Sequence, residues 1–308
     1  MKTKWSLIIV GCLTGALAHA QGTGLEARKQ AFEQASHSPI NFWGKVVDQN
    51  GNPIEGVTAT FSLTSDMFSE DNPKTVVLSD ANGRFSLTEK TGLGISVWVT
   101  KDGYYSISGE ADASLNYFQK SKNPLFSFRR GGTNEPFPTE QQPTIFTLTK
   151  KGQPAANLIR KHLRVPMPKD GTPVDIDLVQ GRVTAAGQGD LQVESWVTDN
   201  GKDVVHPFPW KCHVTVLNGG LQLRSRPLAF QAPTGGYQSK DEASMSPGGD
   251  HWSKDMNRQY FLQISGNRYV RMRFEMVSGG NNFLNLDYFL NPKPGDTNLE
   301  SANWSAAE

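Results

Sequence analysis

The sequence predicts an all-β protein made of two β-sandwich domains, and three observations carry that prediction. From Asn41 onward apolar residues recur at every second position, the period of a half-buried strand. The runs are short and separated by turn dipeptides, Asn50-Gly51, Asn82-Gly83 and Asp102-Gly103 among them. Finally, 30 glycines and 18 prolines among 308 residues suit a turn-rich chain better than a helical one. Apolar residues at 37% and charged residues at 20% are ordinary for globular folding, and the length suits two domains.

Residues 1–20 read as a secretory signal peptide. Lys2 and Lys4 precede an apolar core, and Ala18-His19-Ala20 supplies the small-x-small cleavage pattern. The expected location is therefore secreted or periplasmic. Ile9 to Cys12 also has the form of a lipobox, so lipid anchoring through Cys12 is the alternative. The apolar run is shorter than the ~20 residues that span a bilayer, and no later stretch approaches that length. Cleavage removes two lysines and no acid, taking the net charge from +1 to −1, which gives no electrostatic footprint for nucleic acid. It also leaves Cys212 alone, so no internal disulfide is expected.

Residues 21–40 form an N-terminal helical strap in this reading, with Leu25, Ala31, Phe32 and Ala35 on one face of a short helix. The first sandwich spans residues 41–149. Ala59, Phe61 and Leu63 alternate with threonine and serine, Phe85 and Leu87 share a face, and Ile95, Val97 and Val99 face away from Trp98. Residues 106–142 interrupt the pattern as a long insertion, and Thr144 to Thr149 returns as a closing strand.

Gly44, Val46, Asp48, Gly51, Pro53, Ile54, Gly56 and Val57, then Asp80, Gly83 and Phe85, then Gly103 and Tyr104, fall on a recognisable pattern. It resembles the carboxypeptidase regulatory-like domain, a small transthyretin-like (prealbumin-like) sandwich. The resemblance implies that fold and an accessory role beside varied partners. It brings no peptidase chemistry, because it is to the accessory domain alone. The cluster Asp48-Gln49-Asn50-Gly51-Asn52 has the alternation of a calcium loop. Its glycine is misplaced, however, and Ala59 stands where the bidentate acid belongs, so a tight turn is expected.

Residues 150–173, with four prolines and a basic excess, read as an extended linker. Residues 174–292 read as a second sandwich. Its signals are a hairpin through Asn218-Gly219-Gly220, another through Gly266-Asn267, and a last strand ended by Pro292. Two segments, at 143–159 and 288–300, resemble stretches of secreted bacterial two-domain proteins, which implies no activity. Residues 293–308 are expected as a disordered tail.

No catalytic residue, cofactor site or metal site is predicted. His206, Cys212 and His213 come closest to a ligand set, but neighbours on a strand point to opposite faces. No nucleophile elbow, zinc-protease helix or phosphate loop occurs. The candidate ligand-binding residues are Trp210, Tyr237 and Trp252, aromatic rings in Pro-, Gly- and Ser-rich segments where no alternation buries them. The expected function is a non-catalytic binding or interaction module for an extracellular glycan or protein. The alternatives are an envelope-associated scaffold and an enzyme of unrecognised type.

Overall fold

A computed structural model describes residues 30, 33–34, 36–64, 74–105, 126–129, 138–199, 206–226, 228–249 and 251–302. These fall into two compact units, divided between Lys151 and Gly152. Both are β-sandwiches. Of the predicted helix, Gln30, Glu33, Gln34 and Ser36 are helical, and the signal peptide with Cys12 lies outside the described residues.

The first unit contains β1 (Pro39–Asp48), β2 (Thr58–Thr64), β3 (Lys74–Leu78), β4 (Arg84–Thr91), β5 (Gly94–Thr100), β6 (Tyr104–Tyr105), β7 (Phe126–Arg129) and β8 (Thr144–Lys150). They form two four-stranded sheets, β4-β1-β8-β6 and β3-β2-β5-β7. Alternate residues of both sheets meet in one core around Phe42. Its ring lies 5.7 Å from Phe61, 6.1 Å from Phe85, 5.0 Å from Phe126 and 6.3 Å from Phe146. Gly44 is glycine because a Cβ there would stand 2.3 Å from the Phe85 ring.

The Asp48 stretch is a turn held by its own side chains. Asn50 and Asn52 donate their backbone N–H to Asp48 Oδ1, each at 2.8 Å, and the Asn52 amide donates to Oδ2 at 3.0 Å. Asp80 does the same for Asn82 and Arg84. Gly83, at φ +73°, brings its Cα against Val46 O where a Cβ would sit at 2.3 Å. Part of the predicted insertion is strand: β7 pairs with β5, and Phe126 and Phe128 pack on the core.

The second unit contains β9 (Ile159–Pro166), β10 (Val174–Asp177), β11 (Arg182–Thr184), β12 (Leu191–Val197), β13 (Trp210–Val216), β14 (Gly220–Leu223), β15 (Lys240–Met245), β16 (Asp255–Ile264), β17 (Arg268–Val277) and β18 (Phe283–Asn291). Two five-stranded sheets result, β11-β10-β12-β13-β15 and β14-β16-β17-β18-β9. Asp241 on one sheet accepts hydrogen bonds from Tyr260, at 2.6 Å, and from Arg258 on the other. Burial raises the cost of that carboxylate's charge, but the two donors outweigh it and hold its pKa below the usual range.

Three expectations are corrected here. The linker over 150–173 contains β9, which pairs with β18 along its whole length. Ile159, Leu163 and Val165 turn inward while Arg160, His162 and Arg164 turn out, an alternation that the basic residues mask. The segment around Asn218-Gly219-Gly220 is not a paired hairpin. β13 pairs with β12 and β15, whereas β14 crosses to the other sheet and pairs with β16. Gly219 allows that crossing, since a Cβ would lie 1.9 Å from Gln263 O.

The third correction concerns the tail. Residues 298–302 are ordered against the outer face of β16 and β17, in a cluster of Ala232, Phe261, Tyr269 and fully buried Leu299. Arg271 lies on the same face, with its guanidinium 4.6 Å from the rings of both Phe230 and Phe289. Truncating Leu299 to alanine should therefore lower the stability of the second unit by about 2–5 kcal/mol, read from its denaturant midpoint. An unchanged midpoint would return residues 298–302 to a loose tail.

Candidate functional site

The three aromatic residues singled out by sequence are held by their own sandwich and do not form one site. Trp210 opens β13 and is buried, with Nε1 donating to Ser253 O at 2.8 Å. Its expected exposure is thereby corrected: the proline-rich approach ends in a strand that carries it inward. Trp252 is half-buried, its ring edge-on to Phe208 at 5.1 Å and its Nε1 donating to Phe208 O at 2.9 Å. Tyr237 belongs to a different cluster, on the outer face of β14 and β16, and its hydroxyl donates to Pro233 O at 2.8 Å. Burial pushes the phenol pKa of Tyr237 up, with Tyr269 adding to the effect. The stretch from Gln231 to Asn257 is no uninterrupted loop, because β15 runs through it.

The ends of β12 and β18 meet close to Trp210. Lys169 Nζ lies 2.8 and 2.7 Å from the two Asp199 oxygens, and Gly280 N–H donates to the same carboxylate at 2.8 Å. The Lys169 hydrogen bond is the larger cause holding the Asp199 pKa down, against desolvation. Asn282 donates to Met167 O, Pro168 O and Ser195 Oγ, which closes this end of the sandwich.

His206, Cys212 and His213 do not assemble a ligand set. Cys212 is in the core, where burial pushes its thiol pKa up to about 12 and leaves no reactive thiolate. His213 points the other way, on the outer face of β12, β13 and β15. Its Nδ1 is 3.3 Å from Glu194 and its Nε2 is 3.5 Å from Glu242, and its ring meets Trp196 at 4.7 Å. Lys240 pairs with Glu242 at 2.7 Å, and Lys211 lies over the Trp196 ring at 5.5 Å. The charges on that face answer one another. No group of three metal-ligating side chains occurs among the described residues.

The open surface lies in the first unit, on the outer face of β3-β2-β5-β7. Strand register places Leu78, Thr58 and Thr100 in one row, Val76, Thr60 and Trp98 in the next, and Ser62, Ser96 and Ser127 in a third beside Lys74. Val76 is 58% exposed and Leu78 65%, while Trp98 is half-buried between them and the sheet's far side. The hydroxyls of Ser96 and Ser127 stand 3.5 Å apart. Lys74, at one corner, is the charged residue among the described side chains of this face. Sequence reasoning had the signal, a tryptophan on the polar side of an amphipathic strand, but gave it no weight beside the loop aromatics.

Trp252→Ala should lower the melting temperature of the second unit by about 4 °C or more, since a half-buried tryptophan gives up roughly 2 kcal/mol of packing and its hydrogen bond. A smaller fall would mean that the ring has no structural duty. Asp199 has a depressed pKa, so its contribution is full above the unfolded carboxyl value near 3.9 and is lost as the pH falls through the folded value. Asp199→Asn should accordingly be less stable than the wild type near neutrality. The two should converge below about pH 4 in thermal melts. Parallel curves would exclude the linkage.

Comparison with known proteins adds no family. No family model and no curated protein matches the chain. Among solved structures, a Streptococcal ancillary pilin is similar over 38% of this chain at 16% identity, with a TM-score of 0.26, and the chain spans 31% of its length. A catechol 1,2 dioxygenase mutant from Acinetobacter radioresistens is similar over 42% of this chain and 58% of its own, at 16% identity and TM-score 0.24. A shaft pilin from Lactobacillus rhamnosus GG is similar over 68% and 95%, at 9% identity and TM-score 0.24. Scores and identities this low assign neither a family nor an activity to the chain.

Proposed function

We propose that the chain is a secreted or periplasmic, non-catalytic binding module that holds its ligand on the outer face of β3-β2-β5-β7. The observation that carries this reading is the exposed pair Val76 and Leu78 on the same face as Trp98, apolar surface where Lys74 is the one charge among the described side chains. Threonine on a strand's solvent face follows from β-propensity alone, whereas two aliphatic side chains more than half exposed on the edge strand of that face do not. The first sandwich is read as carboxypeptidase regulatory-like and transthyretin-like. The turns at Asp48 and Asp80, the packing of Gly44 on Phe85 and the positive φ of Gly51, Gly56, Gly83 and Gly103 support that assignment. An accessory module of that kind suits binding better than catalysis.

A second reading, an envelope-associated scaffold, is favoured by the edge of β3. This strand pairs with β2 alone, and its other backbone edge takes no hydrogen bond from any described residue. No helix among the described residues is long and apolar enough to cross a membrane.

The chain should adsorb to purified bacterial envelopes and extracellular polymer. Trp98→Ala and Thr60→Glu should each weaken that adsorption, Trp98→Ala by about 30-fold if it is a central anchor worth ~2 kcal/mol. Thr60→Glu should keep the wild-type melting temperature within about 2 °C, which corresponds to less than ~1 kcal/mol, so that its weaker adsorption would not be a loss of folding. Equal adsorption by both variants would remove the face as the binding surface. Concentration-dependent self-association that Val76→Lys abolishes would favour the scaffold.

A further inference from the structure

We infer that the opposite side of the first sandwich, the outer face of β4-β1-β8, binds an acidic polysaccharide, with a sugar ring on Trp43 and its carboxylate or sulfate between Lys45 and Arg84. This surface is separate from β3-β2-β5-β7 and would bind whether or not that face does. Phe42, Phe85 and Phe146 point into the core, so alternation turns Trp43 and Lys45 outward on β1, Arg84 and Ser86 on β4, and Ile145 on β8. Pairing sets Lys45 directly opposite Arg84 on one side and Ile145 on the other, with Trp43 opposite Ser86.

Two like charges directly opposite one another on an antiparallel pair repel, so the fold gains nothing from placing Lys45 beside Arg84. Neither forms an ion pair among the described residues. The acids at the strand ends are engaged in their own turns, Asp48 with the N–H groups of Asn50 and Asn52, and Asp80 with those of Asn82 and Arg84. Glu140 offers Arg84 its backbone carbonyl, at 3.5 Å from one guanidinium nitrogen, which leaves the other N–H groups for an acceptor. Glu89 and Lys90, at the far end of β4, cancel in charge. A carboxylate or sulfate set between Lys45 and Arg84 would turn their repulsion into two charge-assisted hydrogen bonds.

Apolar surface flanks the two cations. Trp43 is half-buried and its indole takes part in no hydrogen bond or ring contact among the described residues, and Ile145 is 56% exposed. A pyranose ring has a face of C–H bonds that suits an indole and an aliphatic side chain. A small inorganic anion would meet the cations but leave Trp43 and Ile145 in water. A neutral glycan would cover the ring but desolvate the cations without an opposite charge. Nucleic acid, whose affinity grows with the number of phosphates neutralised, would find two cations. A sugar that carries its own anionic group meets both halves of the face. The face of β12, β13 and β15 in the second unit offers the contrast, since there Glu194 and Glu242 already answer the cations and Lys211 covers the indole of Trp196.

The test is affinity electrophoresis of the full chain in native gels containing polygalacturonate, alginate or heparin, with a neutral glucan and double-stranded DNA as counterparts. At least one acidic polysaccharide should retard the chain, and added salt should weaken the retardation. Lys45→Gln and Arg84→Gln should each reduce the affinity about tenfold, and Trp43→Ala should reduce it as well. Lys45→Gln should melt no lower than the wild type, because it relieves a like-charge pair, so its weaker binding would not be a loss of folding. Thr60→Glu, on the other sheet, should leave the retardation intact. Retardation by none of the three acidic polymers would overturn the inference, as would equal retardation of Lys45→Gln, Arg84→Gln and the wild type. Retardation by the neutral glucan to the same extent, or by DNA alone, would overturn it too. If Thr60→Glu abolishes the retardation, the ligand sits on β3-β2-β5-β7, and this second surface falls while the first stands.

Discussion

The contact between Phe42 and four other phenylalanine rings fixes the first sandwich, and with it the surface that faces outward. Phe61 on β2 is one of those partners, and Val97 and Val99 on β5 join the same core. A strand has a period of two, so committing these residues inward turns Thr60 and Trp98 out, with no intermediate choice. A slip of one residue would bury Thr58, Thr60 and Ser62 and expose Phe61. The cost of that exchange, several large side chains at about 1.5–3 kcal/mol each, is far greater than any preference of the outer face itself. The surface chemistry is therefore inherited from the core.

The second sandwich solves its closure differently. Its two sheets are tied near one edge by a polar bridge, Asp241 to Tyr260 and Arg258, and at one end by Asn282 and the Asp199–Lys169 pair. The Asp241 and Asp199 carboxylates each meet a cationic donor, and the Asn282 amide N–H group meets two backbone carbonyls and the Ser195 hydroxyl. Removing either member would leave a buried partner stranded, which costs more than the hydrogen bond contributes. The aromatic residues around this end serve the same purpose. Trp210 and Trp252 each give their one N–H to a backbone carbonyl of the neighbouring segment, so each indole laces one loop to the next.

The all-β architecture was legible in the sequence because alternation and turn chemistry agreed from Asn41 to Pro292. The Asp48 turn was legible for the same reason: its side chains complete their hydrogen bonds within five residues. β9 was hidden because Arg160, His162 and Arg164 occupy its outer positions and prolines flank it, so that composition spoke louder than the period. The β14 crossover was hidden because Asn-Gly-Gly serves a hairpin and a change of sheet equally well. Only the approach of Gly219 to the β16 backbone distinguishes them. The candidate site was misread for a related reason. A Pro- and Gly-rich context says nothing about whether an indole finds a carbonyl at long range, whereas the position of Trp98 opposite Ile95, Val97 and Val99 depends only on its own strand.

The docking of the C-terminal segment brings the two ends of the second sandwich together. Glu300 accepts the N–H of Gly152 with both carboxylate oxygens and gives its carbonyl to Ala155, and Asn298 donates to Gln153 O. The point where the chain enters this unit and the point where it leaves are thus hydrogen-bonded neighbours. A unit with adjoined ends can be lifted out and spliced into a surface loop of a host without stretching either connection. It can also be rejoined end to end and reopened at another turn. The second sandwich is in this sense a cassette, portable between architectures as a single piece.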